Sequence, residues 1–451
     1  MKKLILYAAL ICGLGSSLPI LADEGVKTVV KGEMSGLKGA ASLFIEDFGM
    51  IQKGRANYTN GRFSMETTLT KPEFCILTTT DPIVQGFNAF LKPGDDILIS
   101  VKDNNVVFSG KGSSLNQFLF NLNRKYDYKN KQYSAIEVYT NRVNAIKTSG
   151  SEEVKLNSAI LLGYAQGEYL DKVCGPYMEA KVSGETDLIS KINFVDLDIN
   201  LVPEIVTYYN WFKTINEIMY AKMETGKLQV RNSNTWIADF ANTISNQKLK
   251  ETYIVKLLEY AFLEDDIFKV KDLAKESMGL VKDPTNIAKI NAITSKVVTV
   301  TRYNEALPGT DFSAYTFQKP DGSVAKISDY KGKYILIDIW STWCHPCVAE
   351  MPFLKKLEHE MAGKDIAFIS LNGDIKETYW QDFIKKRNLT GNQLWMNGGL
   401  AANPFFNKIG RTGIPRFVII DKEGKMLNAK CCQRPSNPVL KVYLNELLSK
   451  K

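Results

Sequence analysis

The spacing of apolar residues changes twice along this 451-residue chain, and each segment predicts a different kind of fold. Residues 23–114 contain short runs rich in branched and aromatic side chains, such as Arg62–Leu69 and Ile97–Val101. Turn residues such as Asn60-Gly61 separate these runs, a pattern that is typical of β-strands. We therefore predict an N-terminal all-β domain over residues 23–114, built as a small antiparallel sandwich or barrel.

Residues 115–300 follow a helical pattern instead. Apolar residues between positions 254 and 261 recur at the spacing of one helix face. Asp283-Pro284 marks a helix start, with Asp as the cap and Pro in the first turn. The aromatic residues between positions 208 and 212 favour a core contact over a ligand surface, because aromatics at this density usually fill cores. We predict an α-helical middle region.

Strands and helices alternate in residues 301–451. Lys333–Ile339 is an almost unbroken apolar run, as expected of a central buried strand, and a helix is predicted to begin at Cys344. Asn437 is expected to cap a final helix. This alternation predicts an α/β domain, so the chain as a whole is multidomain. Further elements are predicted at residues 366–371 (strand), 377–386 (helix), and 416–420 with 425–428 (hairpin).

Residues 1–22 have the layout of an export signal. Lys2 and Lys3 precede the apolar run Leu4–Leu14, and cleavage after Ala22 fits its end. The run is shorter than the ~20 apolar residues that a membrane-spanning helix needs. An uncleaved anchor is the alternative, and bulky residues before Cys12 disfavour a lipid anchor there. We predict export to the periplasm.

Charge and cysteine content disfavour two further classes. A formal charge of +8 is mild for this length, and no basic stripe interleaved with aromatics suggests nucleic-acid binding. Seven cysteines are too few for a disulfide-stapled scaffold. Only Cys344 and Cys347 have a spacing that carries chemistry. The remaining cysteines of the mature chain are expected to be ordinary thiols: Cys75, Cys174, Cys431 and Cys432.

The sequence Trp-Cys-His-Pro-Cys at residues 343–347 follows the predicted central strand and begins a helix. The first helical turn presents unpaired N–H groups and the positive end of the helix dipole, which lower the pKa of a thiol at Cys344. Cys347 lies one turn further on the same face. The expected reaction is thiol–disulfide exchange, in which Cys344 attacks a disulfide and Cys347 resolves the mixed disulfide. His345 would add positive charge nearby.

A lone Cys-x-x-Cys motif has other interpretations. It could be a structural disulfide or half of a zinc site. Zinc requires four ligands, and the second histidine of the chain, His359, falls on the same predicted helix as the motif. The adjacent Cys431 and Cys432 suit two corners of a tetrahedron poorly. We predict neither a metal nor another cofactor.

Three motifs in the last third of the chain resemble thioredoxins. Residues 335–347 resemble the active-site segment, Glu350-Met351-Pro352 resembles the extracytoplasmic TlpA/ResA branch, and residues 412–417 resemble the cis-proline loop. The resemblance implies a thioredoxin fold over residues 301–451. The β and helical regions resemble the layout ahead of TlpA-like domains in Bacteroidetes proteins.

The resemblance also implies roles for individual residues. Asp338 matches a buried carboxylate that exchanges a proton with the resolving cysteine, and an apolar strand would raise its pKa. The alternative is a surface Asp at a strand edge. Arg416 replaces the more usual Thr, which is expected to alter substrate preference. Substrate contacts are implied for Trp343, Pro346, Ile414 and Pro415, with Pro415 packing against the disulfide.

The function implied by this resemblance is a periplasmic thiol–disulfide oxidoreductase that reduces disulfides of exported proteins, apocytochrome c among them. A membrane-bound thiol donor would keep it reduced. An oxidase or isomerase remains open because of His345, as does a binding or scaffold protein with an accessory redox domain. A peroxidase is disfavoured because Ile337 stands where a proline is needed. The sequence does not predict the oligomeric state.

Overall fold

The structure, a computed structural model, describes most of the chain after the predicted export signal. The signal at residues 1–22 and Cys432 lie outside the described residues. No helix among the described residues is both long and apolar enough to cross a membrane. The described residues are 25–34, 40–45, 51–79, 87–102, 105–129, 131–183, 185, 187, 200–208, 211–264, 267–300, 308–410, 413–431 and 433–450.

The N-terminal part is a two-sheet β-sandwich. Its four-stranded sheets have the orders β4-β1-β7-β8 and β3-β2-β5-β6, and residues from both sheets share one apolar core. Side chains of β4 alternate between exposed and buried, as a strand packed on one face requires. The strands are β1 (Val26–Met34), β2 (Ala40–Ile45), β3 (Ile51–Asn57), β4 (Arg62–Leu69), β5 (Glu73–Thr79), β6 (Phe87–Leu91), β7 (Asp96–Lys102) and β8 (Asn105–Lys111).

The prediction of a purely antiparallel β-domain was wrong in one respect. Strands β1 and β7 pair in parallel, with Val29 opposite Asp96 and Met34 opposite Val101. The other pairings within the two sheets are antiparallel. A parallel pair needs a long crossover connection, and here the chain forms the second sheet between these two strands.

The middle region is helical, as the spacing of apolar residues predicted. The predicted helix start at Asp283-Pro284 is confirmed, since the Asp283 carboxylate accepts a hydrogen bond from Thr285 N–H. Tyr208, Trp211 and Phe212 are buried, which confirms a core role for this aromatic cluster. The helices are α1 (Ser113–Lys125), α2 (Ala135–Lys147), α3 (Glu152–Leu156), α4 (Ser158–Ser183), α5 (Trp211–Glu224), α6 (Trp236–Asn242), α7 (Gln247–Glu264), α8 (Ile267–Met278) and α9 (Pro284–Val300).

The C-terminal part has a seven-stranded sheet in the order β10-β9-β13-β12-β11-β14-β15. Central strand β11 runs parallel to β12 and antiparallel to β14, and apolar cores form on both sheet faces. Its elements are β9 (Thr316–Gln318), β10 (Val324–Lys326), β11 (Tyr334–Trp340), α10 (His345–Glu360), β12 (Ile366–Asn372), α11 (Glu377–Arg387), β13 (Asn392–Trp395), α12 (Pro404–Lys408), β14 (Arg416–Ile420), β15 (Met426–Cys431) and α13 (Pro438–Ser449).

The chain separates into two compact units. One comprises Met1–Asn130 and Asn144–Ser158, and the other comprises Lys131–Val143 and Ala159–Lys451. Most of the helical region therefore belongs to the same unit as the C-terminal sheet. The predicted three-part fold class is confirmed, whereas the domain bounds 23–114, 115–300 and 301–451 stay predictions.

A buried carboxylate fixes the start of helix α9. Glu251 accepts hydrogen bonds from the backbone N–H groups of Lys282 and Asp283, and from the side chains of Gln247 and Asn286. Burial alone raises the pKa of Glu251, but these hydrogen bonds outweigh it and lower the pKa from 4.5 to about 2.

We expect Glu251→Gln to lower the free energy of unfolding by about 2 kcal/mol at neutral pH. Because the folded-state pKa lies below the ordinary value, the contribution of this carboxylate is present above pH 4.5 and is lost as the pH falls toward about 2. Denaturant titrations at pH 7 and pH 3 should show the difference shrinking. The control is Glu259→Gln, a partly exposed position on α7, the helix that also carries Glu251. Equal losses of stability in both variants would contradict the role assigned to the Glu251 hydrogen bonds.

Candidate active site

The transition from β11 to α10 places both cysteines of the motif. Cys344 caps α10, one residue before the first helical position, and its Sγ accepts a hydrogen bond from Cys347 N–H at 3.3 Å. A disulfide joins Cys344 to Cys347, whose Cα atoms lie 5.3 Å apart. Cys344 retains 5% exposure and Cys347 only 1%. The attacking sulfur thus lies at the positive end of the helix, with its partner one turn deeper.

The predicted substrate contacts lie around this disulfide to different degrees. Trp343 is 63% exposed, and His345 and Pro346 are also exposed. The peptide bond between Ile414 and Pro415 is cis. Ile414 packs against a cluster that contains both cysteines and Trp340. Ile414 therefore lies beside the redox centre, whereas the packing of Pro415 on the disulfide and the substrate contacts of this loop stay predictions.

Asp338 is buried in the centre of the sheet rather than at its surface. It lies on β11 between Ser370 of β12 and Phe417 of β14, and only 3% of it is exposed. Burial is the main reason that its pKa rises from 3.8 to about 8, and the negative charge of Glu350 raises it further, while a hydrogen bond with Ser370 opposes the rise. The alternative of a surface Asp was wrong, because the strand is covered on both faces.

Glu350 is a second buried carboxyl that the sequence did not single out. It lies on α10, one turn after Cys347, and accepts hydrogen bonds from Ser436 N–H at 2.9 Å and Ser436 Oγ at 2.8 Å. Burial raises its pKa, while Ser436 and the charges of Arg434 and Lys181 lower it. Its position three residues after Cys347 was the available signal, since residues at this spacing share a helix face.

Asp374 anchors the loop that carries the motif. Its carboxylate accepts hydrogen bonds from Thr342 N–H and from the Asn372 side chain, each at 3.0 Å, and its carbonyl accepts one from Trp395 Nε1. Strands β11 and β12 are parallel, so their carboxyl ends meet at the same edge of the sheet. The sequence prediction missed this residue, although it lies only three residues after the predicted strand at 366–371.

Arg416 points into the fold, and its expected effect on substrate preference stays a prediction. It is buried, its Nε donates to the Ala429 carbonyl at 2.8 Å, and its terminal nitrogens donate to the Ile409 and Gly410 carbonyls. Three backbone carbonyls accept hydrogen bonds from the guanidinium inside the fold.

Among the described residues, the remaining cysteines and the second histidine lie outside this centre. Cys75, Cys174 and Cys431 are buried thiols. His359 lies in the last turn of α10. Within the part of the chain that the structure describes, no group of three His, Cys, Asp or Glu side chains is placed to hold a metal ion.

Comparison with known proteins identifies the type of this centre. The Redoxin family model matches residues 304–441. A thiol-disulfide oxidoreductase ResA from Bacillus thuringiensis is 29% identical over 107 residues, which are 24% of this chain and 60% of that protein. The C-terminal part is a TlpA/ResA-like domain of the thioredoxin family. A thioredoxin-like protein from Bacillus subtilis, YneN, is 40% identical over 68 residues, 15% of this chain and 38% of its own.

Solved structures resemble the TlpA/ResA-like domain as well. The solution structure of a candidate thiol-disulfide oxidoreductase from Bacteroides vulgatus is 40% identical, covering 30% of this chain and 86% of that one, with a TM-score of 0.27. The chain spans about 60% of the length of the curated ResA protein from Bacillus thuringiensis.

We expect Asp338→Asn to make the protein more stable and less active. Because the folded-state pKa of Asp338 is raised, its carboxyl ionises first in the unfolded chain. The free energy of unfolding therefore falls as the pH rises from 3.8 to about 8. The gain in the free energy of unfolding should therefore be small at pH 4 and about 2–5 kcal/mol at pH 8. Disulfide reduction should slow about 10–100-fold.

The measurement pairs denaturant titrations at the two pH values with an insulin-reduction assay. Asp382→Asn, an exposed position on α11, serves as the matched control and should change neither quantity. A loss of stability in Asp338→Asn that is equal at both pH values would contradict the burial argument.

Proposed function

We propose that the whole protein is an exported thiol–disulfide oxidoreductase that reduces disulfides in other exported proteins. The observation that carries this proposal is the Cys344–Cys347 disulfide at the start of α10, with Cys347 N–H directed at Cys344 Sγ. The same N–H group would stabilise a Cys344 thiolate after reduction. The predicted export signal at residues 1–22 supports a periplasmic location.

The proposed reaction moves two electrons from the cysteine pair to the substrate. The Cys344 thiolate attacks one sulfur of a substrate disulfide, the substrate S–S bond breaks, and the departing sulfur takes up a proton. Cys347 then loses its proton to the Asp338 carboxylate and attacks Cys344 Sγ. The Cys344–Cys347 disulfide forms as the mixed disulfide breaks. The second substrate sulfur leaves as a thiol after taking up the proton that Asp338 received, which returns Asp338 to its carboxylate form. A membrane-bound thiol donor would reduce this disulfide for the next cycle.

The reduction potential decides between a reductase and an oxidase. His345 is exposed directly beside Cys344, and a positive charge there would stabilise the thiolate and make the pair more oxidising. A reduction potential of about −270 mV for the cysteine pair supports a reductase, whereas one of about −120 mV supports an oxidase. Equilibration of the protein with glutathione buffers of known ratio measures it.

An exposed apolar surface beside the disulfide suits a protein substrate. Trp343 is 63% exposed, Ile375 78% and Tyr379 54%. Asp374 ties the segment before Ile375 to the motif loop. We name Trp343, Ile375 and Tyr379 the apolar rim, and propose that it contacts apolar residues flanking the substrate disulfide.

Cys344→Ser should abolish insulin reduction by the full-length protein, with a loss of more than about 100-fold, because a serine hydroxyl cannot form a mixed disulfide. Cys431→Ser provides a matched thiol substitution at a buried position outside the motif and should retain activity. Equal activity in wild type and Cys344→Ser would leave a binding or scaffold protein as the better reading.

Cys347→Ala should accumulate mixed disulfides through Cys344, because the resolving thiol is absent. Non-reducing gels of periplasmic extracts would show these adducts, and mass spectrometry would identify the partners. The double variant with Cys344→Ser is the control and should show none. Identical adducts in the control would contradict attack by Cys344.

Ile375→Asp should raise KM for the reduction of a protein disulfide about 5–20-fold, because a charge on the apolar rim cannot pack against apolar residues of the substrate. Reduction of oxidised glutathione, which is much smaller than a protein substrate and is expected not to extend to Ile375, should stay within about twofold. Val324→Asp, exposed on β10, is the control. A parallel loss on both substrates would show damage to the redox centre rather than to substrate contact.

A further inference from the structure

The helical region packs directly on the helix that carries the redox pair. Phe353 of α10 belongs to a buried cluster with Tyr177 and Ala180 of α4 and Ala221 of α5. These residues belong to one compact unit of the chain. Glu350 lies one turn before Phe353 on the same face of α10, and Cys347 lies one turn before Glu350.

A fixed cation lies within this contact. Lys181 follows Tyr177 by one turn on α4, and its Nζ lies 2.8 Å from Glu217 Oε2. The same ammonium lies 5.0 Å from the centre of the Tyr220 ring and 5.8 Å from that of Tyr177. Only 13% of the Lys181 side chain is exposed. Its aromatic and acidic neighbours therefore hold the charge in one place behind α10.

We propose that the helical region is an electrostatic part of the redox centre, with Lys181 as a positioning residue that keeps a positive charge behind the Glu350–Asp338 carboxyl pair. The charge favours an ionised Glu350, and an ionised Glu350 in turn favours a protonated Asp338. Lys181 thus acts on the proton acceptor of Cys347 through Glu350, without touching the sulfurs. The activity part of this inference rests on the proposed function.

Several other groups face Glu350 from the elements packed around it. Burial raises the pKa of Glu350, and the hydrogen bonds from Ser436 lower it, as do the charges of Arg434 and Lys181. Lys181 and Lys356 also lower the pKa of Glu224 on α5, which burial raises. The titratable and charged groups to be considered are Asp338 on β11, Cys347 on α10, Tyr177 and Lys181 on α4, Glu217 and Glu224 on α5, and Arg434 before α13.

The test follows the carboxyl groups themselves in the full-length protein. Selective ¹³C labelling of Glu and Asp side chains gives NMR titration curves, with Glu350→Gln and Asp338→Asn identifying the two resonances. In Lys181→Met the midpoint of Glu350 should rise by about half a unit or more, because a stabilising cation is lost. The midpoint of Asp338 should fall, because a protonated Glu350 no longer repels its ionised form.

Three further variants separate this role from a structural one. Lys181→Arg retains the charge and should restore both midpoints, whereas Lys355→Met removes an exposed lysine from α10 and should leave both unchanged. Lys181→Met leaves Glu217 buried without its cation, which can unfold the protein. The double variant Lys181→Met/Glu217→Met removes both charges and keeps the measurement accessible.

The same variants are then assayed for reduction of oxidised glutathione across the pH range. The limb of the profile that reports Asp338 should move to lower pH in Lys181→Met by the same amount as the NMR midpoint. Unchanged NMR midpoints in Lys181→Met and in the double variant would overturn the inference. Inactivity of every variant and of wild type, with the midpoints shifted as described, would contradict the proposed function and leave the electrostatic role intact.

Discussion

Complete burial of strand β11 is the constraint on which the active site depends. All seven of its residues are buried, with neighbouring strands on both sides and an apolar core on each face of the sheet. A slip of one residue would move every side chain to the opposite face, so the register is strongly fixed. The strand therefore delivers Asp338 to the interior and ends at a fixed point. The position of the Cys344 sulfur follows from this packing, and the Cys-x-x-Cys motif contributes the two reactive thiols.

Features with a local cause could be predicted from the sequence, and those created by distant pairing could not. The apolar run of β11, the helix that begins after Cys344, and the cap at Asn437 each depend on a few neighbouring residues, and the structure contains all three. The Glu350–Ser436 hydrogen bonds join positions 86 residues apart. The parallel pairing of β1 with β7 likewise depends on the path of the intervening chain. Local periodicity carries no information on such partners.

The burial of Asp338 could not be predicted from the periodicity of apolar residues alone. An Asp between two isoleucines suits either a strand with one exposed face or a strand covered on both. The deciding contribution comes from helices on both sides of the sheet, which the strand sequence does not encode. The same helices make this site costly for stability, since two carboxyls are held where water cannot solvate their charge. Perturbed acids of this kind concentrate at functional sites, where selection acts on reactivity more than on stability.

Arg416 gives the cis-proline loop an anchor that does not titrate. A guanidinium stays protonated throughout the accessible pH range, and its donors here reach three backbone carbonyls on two different segments. The hydrogen bonds that hold this loop therefore persist from acid to alkaline conditions. The groups of the redox centre that respond to pH are instead the buried carboxyls of Asp338 on β11 and Glu350 on α10, so the pH response and the shape of the loop depend on different residues.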